Sequence, residues 1–268
     1  MAIDTSLFAA QVPAGTYAVG DKIPLACLRG PAVVRDGYGA CKLKRLVTLA
    51  DQTALNGVFK ITIKNSNWVD SVSNPVVTPS YSETALSIES AAIQPGQDLP
   101  LVPNSGWEVV AECITGATTT TAGDLFALID MDFPSVAGIE NPRKVQGFPV
   151  TMDATRTITI TGAGSALSAV WNTFNVDIFK AGSKYLLNEA SFFLSGSLMG
   201  FMSISGAAGQ AGLERIIPVR SSAHAGLKYP VDYSTPLVKG PMNVNFMVMG
   251  TAGTGTAYSY MDYVKKSI

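Results

Sequence analysis

The feature that most constrains the fold of this chain is an ordered internal duplication. Pro100-Leu101-Val102 is echoed by Pro236-Leu237-Val238, and each copy continues with a glycine, a strand-like stretch and a run rich in Thr, Gly and Ala. Each copy then closes on a Met-Asp-aromatic triplet, Met131-Asp132-Phe133 in the first and Met261-Asp262-Tyr263 in the second. Because these echoes keep the same order along the chain, they predict a tandem repeat.

The duplication predicts two β domains of similar size. A chain of 268 residues is long enough for two such domains. We expect an N-terminal arm over residues 1–17, a first β-sandwich over 18–150 and a second over 151–268. Val12-Pro13-Ala14-Gly15 has the composition of a turn that leads from the arm into the first domain.

Short apolar stretches of period two predict the strands. In Val58–Lys64, residues Phe59, Ile61 and Ile63 share one face, and the intervening lysines and threonine share the other. Leu125–Phe133, Thr157–Thr161 and Asn243–Val248 show the same alternation. Half-buried strands bounded by turn residues are typical of sandwiches and barrels, so we predict the all-β class.

Helical signals are few. Ser165–Lys180 could place Val170, Trp171 and Phe174 along one helical face, although Phe174, Val176 and Ile178 also alternate as in a strand. We expect a few short helices or turns there or near Leu213–Ile216, none of which organises the fold.

The charged fraction of the chain is low. Asp, Glu, Lys and Arg make up 15% of the residues, against roughly 25% in ordinary soluble domains, while hydrophobic residues make up 47%. Because interface cores lose charged residues first, this composition favours a surface that becomes buried against partners. The alternative is a soluble β-sandwich with a surface rich in Ser and Thr. A net charge of −1 creates no global field that attracts nucleic acid.

One uncharged segment, Ala190–Leu213, is long enough to span a bilayer and contains a GxxxG pair, Gly196 and Gly200. Its serines and glycines favour a different interpretation, a pair of buried strands joined by a Gly/Ser turn. The three cysteines, Cys27, Cys41 and Cys113, allow at most one disulfide and fit a reducing compartment.

A search for catalytic, cofactor-binding or metal-binding residues finds no convincing pattern. The one histidine, His224, lies in a loop-like stretch, and the chain contains neither a G-x-S-x-G elbow nor a P-loop. Asp130 and Asp132 would share a strand face and could hold a surface calcium ion, but a solvated strand edge explains them more simply. Lys42, Lys44 and Arg45 form a small basic cluster that a solvated strand face also explains. We therefore expect no enzyme and no cofactor.

The repeated Pro-Leu-Val and Met-Asp-aromatic echoes, the two sequential β domains, the low charge and the short arm together resemble the double jelly-roll major capsid proteins of tailless viruses. The resemblance is architectural. It implies two eight-stranded jelly rolls in one chain, trimers that form pseudo-hexagonal capsomers, and an icosahedral shell. It also implies a virion protein that assembles in the host cytoplasm with copies of itself and other capsid proteins, with membrane or genome contact on the inner face.

A shell protein needs apolar contacts between subunits, and the Met/Phe-rich segment around residues 192–202 is our candidate. The predicted interface residues are Phe192, Phe193, Met199, Phe201 and Met202. Two alternatives remain: a phage decoration or tail-tube protein, and a carbohydrate-binding β-sandwich lectin. For the lectin, Trp68, Trp107 and Trp171 are scattered along the sequence and show no clustering.

Overall fold

The computed structural model describes residues 2–36, 41–50, 57–78, 84–87, 99–119, 123–133, 148–160, 171–175, 183–194, 199–206, 214–221, 229–230, 238–239, 242–249 and 253–267. Every regular element in these ranges is a β-strand, so the predicted all-β class is confirmed. The chain divides into two compact units. The first comprises residues 4–134 with 165–167, and the second comprises residues 1–3, 135–164 and 168–268.

The strands of the first unit form two principal sheets. The strands are β1 (Ala2–Val12), β2 (Gly15–Tyr17), β3 (Lys22–Pro24), β4 (Ala26–Arg29), β5 (Cys41–Ala50), β6 (Gly57–Asn65), β7 (Val72–Thr78), β8 (Thr84–Ser87), β9 (Pro100–Leu101), β10 (Trp107–Cys113), β11 (Ala117–Thr119) and β12 (Gly123–Phe133). One sheet has the order β4-β1-β12-β5-β8 with β9 also on β5, and the other has the order β3-β10-β6-β7. β2 and β11 form a separate two-stranded ladder.

The core of the first unit lies between inward-facing rows of these sheets. Phe59, Ile61 and Ile63 of β6 are fully buried, which confirms the predicted apolar face of that strand. Across the core, the Asn74 side-chain amide of β7 donates to the Thr48 hydroxyl of β5 at 2.8 Å. Fully burying each large apolar side chain contributes about 1.5–3 kcal/mol, so these rows hold the two sheets together.

Strand β12 differs from its prediction. The alternation in Leu125–Phe133 predicted one buried face, yet Phe126 and Leu128 of the opposite face are also buried, at 0% and 1% exposure. β12 lies in the middle of its sheet, between β1 and β5, and both of its faces are covered. A period of two cannot distinguish such a strand from a half-buried one, so the one-sided prediction was wrong here.

The second unit contains β13 (Phe148–Ile160), β14 (Trp171–Asn175), β15 (Ser183–Leu194), β16 (Met199–Gly206), β17 (Glu214–Ser221), β18 (Tyr229–Pro230), β19 (Val238–Lys239), β20 (Met242–Met249) and β21 (Gly253–Ser267). Their order is β13-β21-β15-β17-β16-β20-β14, with β18 and β19 also on β15. The β15–β17 contact is parallel and covers only two residue pairs.

The two units repeat the same pattern of strand pairing. β1-β12-β5-β8 in the first unit corresponds to β13-β21-β15-β18 in the second, with β9 and β19 as the matching additional strands. β3-β10-β6-β7 corresponds in the same way to β14-β20-β16-β17. In the first unit these strands lie in separate antiparallel sheets, as in a β-sandwich, and in the second unit the short parallel β15–β17 contact joins them into one nine-stranded sheet. The strands that carry the sequence echoes, β10 with β20 and β12 with β21, occupy equivalent places.

Two segments whose structure the sequence did not decide contain strands. Trp171–Asn175, where helix and strand were both open, is strand β14. The uncharged segment 190–213 contains the end of β15 and all of β16, but β17 lies between these strands, so they do not form the expected pair. Within the described ranges, no helix is long and apolar enough to span a membrane.

The predicted domain boundaries at residues 17/18 and 150/151 stay a prediction. The segment proposed as an N-terminal arm contains β1, which the structure places inside a sheet between β4 and β12. Leu7, Ala9 and Val12 of this strand are fully buried.

Candidate functional site

Asp130 is the centre of a buried polar cluster on β12. Its Oδ1 accepts a hydrogen bond from the Thr5 hydroxyl of β1 at 2.8 Å. Its Oδ2 accepts from Arg45 Nε of β5 at 2.8 Å and pairs with Arg45 Nη2 at 2.7 Å. The Asp130 side chain is only 2% exposed and that of Arg45 is 22% exposed. The cluster therefore links the three adjacent strands β1, β12 and β5, and both carboxylate oxygens of Asp130 accept hydrogen bonds.

This geometry corrects the interpretation of Asp130 as part of a solvated strand edge or a calcium site. The carboxylate is buried in a central strand, and the guanidinium of Arg45 supplies its positive charge. Arg45, assigned by sequence to a solvated basic cluster, is the partner that makes the burial possible. A second pair follows the same principle, since Arg35 Nε donates to the fully buried Asp4 at 2.6 Å.

One end of the first unit is built around two tryptophans. Trp68, in the turn between β6 and β7, meets Trp107, the first residue of β10, edge to face with ring centroids 5.5 Å apart. The Trp68 indole N–H donates to the Pro100 carbonyl at 2.8 Å. No sequence pattern marks this cluster, because the two tryptophans lie far apart in the chain and come together only in the folded unit.

The same end exposes apolar side chains. Val69 is 94% exposed, Val102 48% and Val33 45%. Their segments are hydrogen bonded together: Val33 bridges to Gly106, and Ser66 N donates to the Gly106 carbonyl at 3.0 Å. Residues 66–69 and 99–107 contain no charged side chain. We call this surface, with the tryptophan pair, the apolar end.

The outer face of the sheet β3-β10-β6-β7 is charged. Glu108 and Glu112 of β10 lie directly opposite Lys64 and Lys60 of β6, with Val110 opposite Thr62 between them. Lys60 Nζ is 3.5 Å from Glu112 Oε2, with the two side chains 41% and 30% exposed. A shallow groove runs across this surface. We call it the ladder face, and it comprises Lys22, Lys60, Thr62, Lys64, Glu108, Val110 and Glu112.

The predicted interface residues fall on two strands of the second unit. Phe192 and Phe193 belong to β15, and Met199, Phe201 and Met202 belong to β16. Phe201 is fully buried within its own chain. Only Phe201 of the five has a described side chain, and the assignment of this segment to a subunit contact stays a prediction.

The residues considered for catalysis or metal binding form no site within the described ranges. His224 lies outside the described residues. In the ranges that are described, no three His, Cys, Asp or Glu side chains come close enough to hold a metal ion. Cys27, Cys41 and Cys113 all fall in those ranges and are thiols. Ser203 and Glu214 form a buried hydrogen-bonded pair between β16 and β17.

No protein-family model and no curated protein matches the chain. Among solved structures, it aligns with the VP2 subviral particle of infectious bursal disease virus at 12% identity and a TM-score of 0.22, over 98% of this chain and 71% of that chain. The cowpea mosaic virus top component gives 10% identity and a TM-score of 0.24, over 100% and 90%. The vicilin from Solanum melongena gives 8% and 0.20, over 99% and 77%. TM-scores of this size carry no argument about fold or function.

Proposed function

We propose that this chain is a non-enzymatic virion structural protein, and more specifically a major capsid protein. In this proposal it forms trimeric, pseudo-hexagonal capsomers that assemble with copies of the chain and other capsid proteins into an icosahedral shell in the host cytoplasm. The repeated strand order supports the proposal, because two similar sandwiches in one chain offer similar lateral surfaces around a ring. Contact of the inner face with a membrane or genome belongs to the same proposal.

The observation that carries the proposal is the apolar end of the first unit. Val69 exposes 94% of its surface, and two further valines on hydrogen-bonded neighbouring segments are about half exposed. Several exposed apolar residues at one end of a unit favour an interaction site there, whereas single scattered ones do not. The turn that carries Val69 is held by the Trp68–Pro100 hydrogen bond, so the surface is preformed. A preformed surface loses little conformational entropy on binding.

The low charged fraction supports the same conclusion. A free monomer with only 15% charged residues has few groups to keep it soluble. Subunits in a closed assembly bury part of their surface, which relaxes this requirement.

The test is the native mass of the purified protein by light scattering, followed by electron microscopy. We expect stable trimers or shells, and we expect Val69→Asp to shift the mass towards the monomer. Val19→Asp is the matched control, because Val19 is 68% exposed but follows β2, near the opposite end of β10. A wild-type monomer at high concentration would refute the proposal, and tubes or isolated knobs would favour a tail-tube or decoration protein.

The tryptophan pair keeps a second candidate open, a carbohydrate-binding lectin. Aromatic side chains stack on sugar rings, and Trp68 and Trp107 are both partly exposed. Their edge-to-face arrangement does not offer one flat platform, which favours the structural role. Binding on a glycan array that is lost in Trp68→Ala would support the lectin instead.

A further inference from the structure

The ladder face has a charge pattern that is complementary to itself. Its two glutamates lie on β10 and two of its lysines lie on the neighbouring strand β6, paired row by row. A third lysine, Lys22 of β3, lies opposite Glu112 on the other side. The acidic strand β10 therefore has lysines on both sides, two on β6 and one on β3, and Val110 and Thr62 separate the two charged rows of β10 and β6.

From this pattern we propose that the ladder face is a two-fold contact between two copies of this chain, with the axis parallel to the strands and midway between β10 and β6. Such an axis places β10 of one copy over β6 of the other at the same height. Glu112 then lies over Lys60 of the second copy, and Glu108 lies over the second copy's Lys64. Each contact occurs twice, as an isologous interface requires.

The charge pattern favours this axis over the simple alternatives, since an axis midway between β10 and β3 would place only Glu112 over a lysine, Lys22. An axis parallel to the strands and directly above β10 would place Glu112 over Glu112 of the second copy. An axis parallel to the sheet but perpendicular to the strands, through the level of Val110, would place Glu112 over Glu108 of the second copy. Both bring like charges together, which is unfavourable. In the proposed arrangement, the charges of the Lys60–Glu112 row form an alternating square in which each charge has two opposite neighbours. Face-to-face sheets lie about 10 Å apart, a gap that Lys and Glu side chains can bridge from both sides.

The exposure of the face is consistent with this partner. Lys60 and Glu112 keep 41% and 30% of their side-chain surface exposed, and their 3.5 Å contact is long for an ion pair. Both groups can therefore turn towards a second copy without giving up a strong internal bond. The Thr62 and Ser73 hydroxyls, 2.8 Å apart, add a neutral polar row next to them.

The contact deepens the proposed function and rests on it for the choice of partner. Trimeric capsomers use three-fold contacts, so a two-fold contact on the ladder face would connect one capsomer to the next. It uses different residues from the apolar end, since Val69 follows β6 and Val102 precedes β10, whereas the ladder residues lie within these strands, with Glu108 next to Trp107.

The test uses two single charge reversals, Glu112→Lys and Lys60→Glu. The mass of the assembled species is measured by sedimentation velocity, first for each variant alone and then for the two variants mixed. When either variant pairs with itself, residues 112 and 60 of the two copies carry like charges at both symmetry-related contacts. We therefore expect the dissociation constant of this self-association to rise about tenfold or more. In the equimolar mixture every cross-copy contact is again between opposite charges, so association returns. Loss of the internal ion pair cannot explain such rescue, because both variants lack that pair whether mixed or not.

A mismatched mixture is the control. Glu112→Lys mixed with Glu108→Lys leaves repulsive contacts and stays weakly associated. If wild type assembles and both single variants assemble equally well, or if the matched mixture is not rescued, the ladder contact is wrong while the proposed function stands. If wild type is monomeric throughout, both are wrong.

Discussion

Removal of the Asp130 charge should destabilise the first unit strongly. The carboxylate is 2% exposed, accepts from Thr5 at 2.8 Å and pairs with Arg45 at 2.7 Å. Asp130→Ala leaves the Arg45 guanidinium without this counter-ion in a site where it is only 22% exposed. Breaking a buried pair in this way costs about 3–5 kcal/mol, and the residual solvent access of Arg45 places the expected loss near the lower limit, about 3 kcal/mol.

Removing both partners should cost much less than the sum of the single losses. Asp130→Leu with Arg45→Met replaces the pair by apolar groups, and such replacements are often neutral. We therefore expect a coupling free energy of about 2 kcal/mol in the double-mutant cycle made of Asp130→Leu, Arg45→Met and the double variant. Glu112→Gln is the surface control, because the Lys60–Glu112 pair is solvent-exposed and such pairs contribute about 0–1 kcal/mol.

The assay is urea unfolding followed by tryptophan fluorescence in a Trp171→Phe background. Trp68 and Trp107 then report on the first unit alone, since Trp171 lies in β14 of the second. The reasoning would be refuted by an Asp130→Ala variant that loses no more stability than Glu112→Gln, or by a coupling free energy near zero.

Two further predictions concern the same unit. Gly30 has φ +80°, and a Cβ there would lie 2.2 Å from the Thr5 carbonyl oxygen, whereas Gly20, at φ +92°, has no atom within 4 Å of that position. In urea unfolding Gly20→Ala should cost about 1–2 kcal/mol and Gly30→Ala clearly more; equal losses would contradict the packing argument. Burial, and secondarily the Asp21 carboxylate, raises the pKa of Tyr17 above 10.0. Because the folded chain then holds this proton more tightly, wild type should lose stability relative to Tyr17→Phe as the pH rises above about 10, and a pH-independent difference between their urea midpoints would exclude the effect.

The fold could be predicted from the sequence to the extent that local patterns control it. Period-two alternation found β6 and its buried face, and the ordered echoes found strands that occupy equivalent places in two units. The double burial of β12 could not be predicted, because coverage of a second face is set by elements remote in sequence. The Asp130–Arg45 pair also depends on the register of β5 against β12, which no local pattern specifies.

The candidate surfaces were harder to recognise. The apolar end is formed by a turn after β6, a turn before β10 and the segment at Val33, which are contiguous only after folding. The ladder face did leave a signal, since Lys60-x-Thr62-x-Lys64 and Glu108-x-Val110-x-Glu112 are charge-inverted copies of one pattern. That signal becomes meaningful only once the antiparallel register is known.

The place of the last strand in each unit has a consequence for synthesis on the ribosome. β12 inserts between β1 and β5, and β21 inserts between β13 and β15, so the final strand of each unit completes the middle of a sheet. Until residues 123–133 emerge, β1 and β5 each present an unsatisfied backbone edge, the kind of edge on which nascent chains aggregate. Productive folding of each half must therefore wait for its own last strand, and a ribosome that pauses while residues 123–133 are still inside its exit tunnel would hold the chain in this aggregation-prone form.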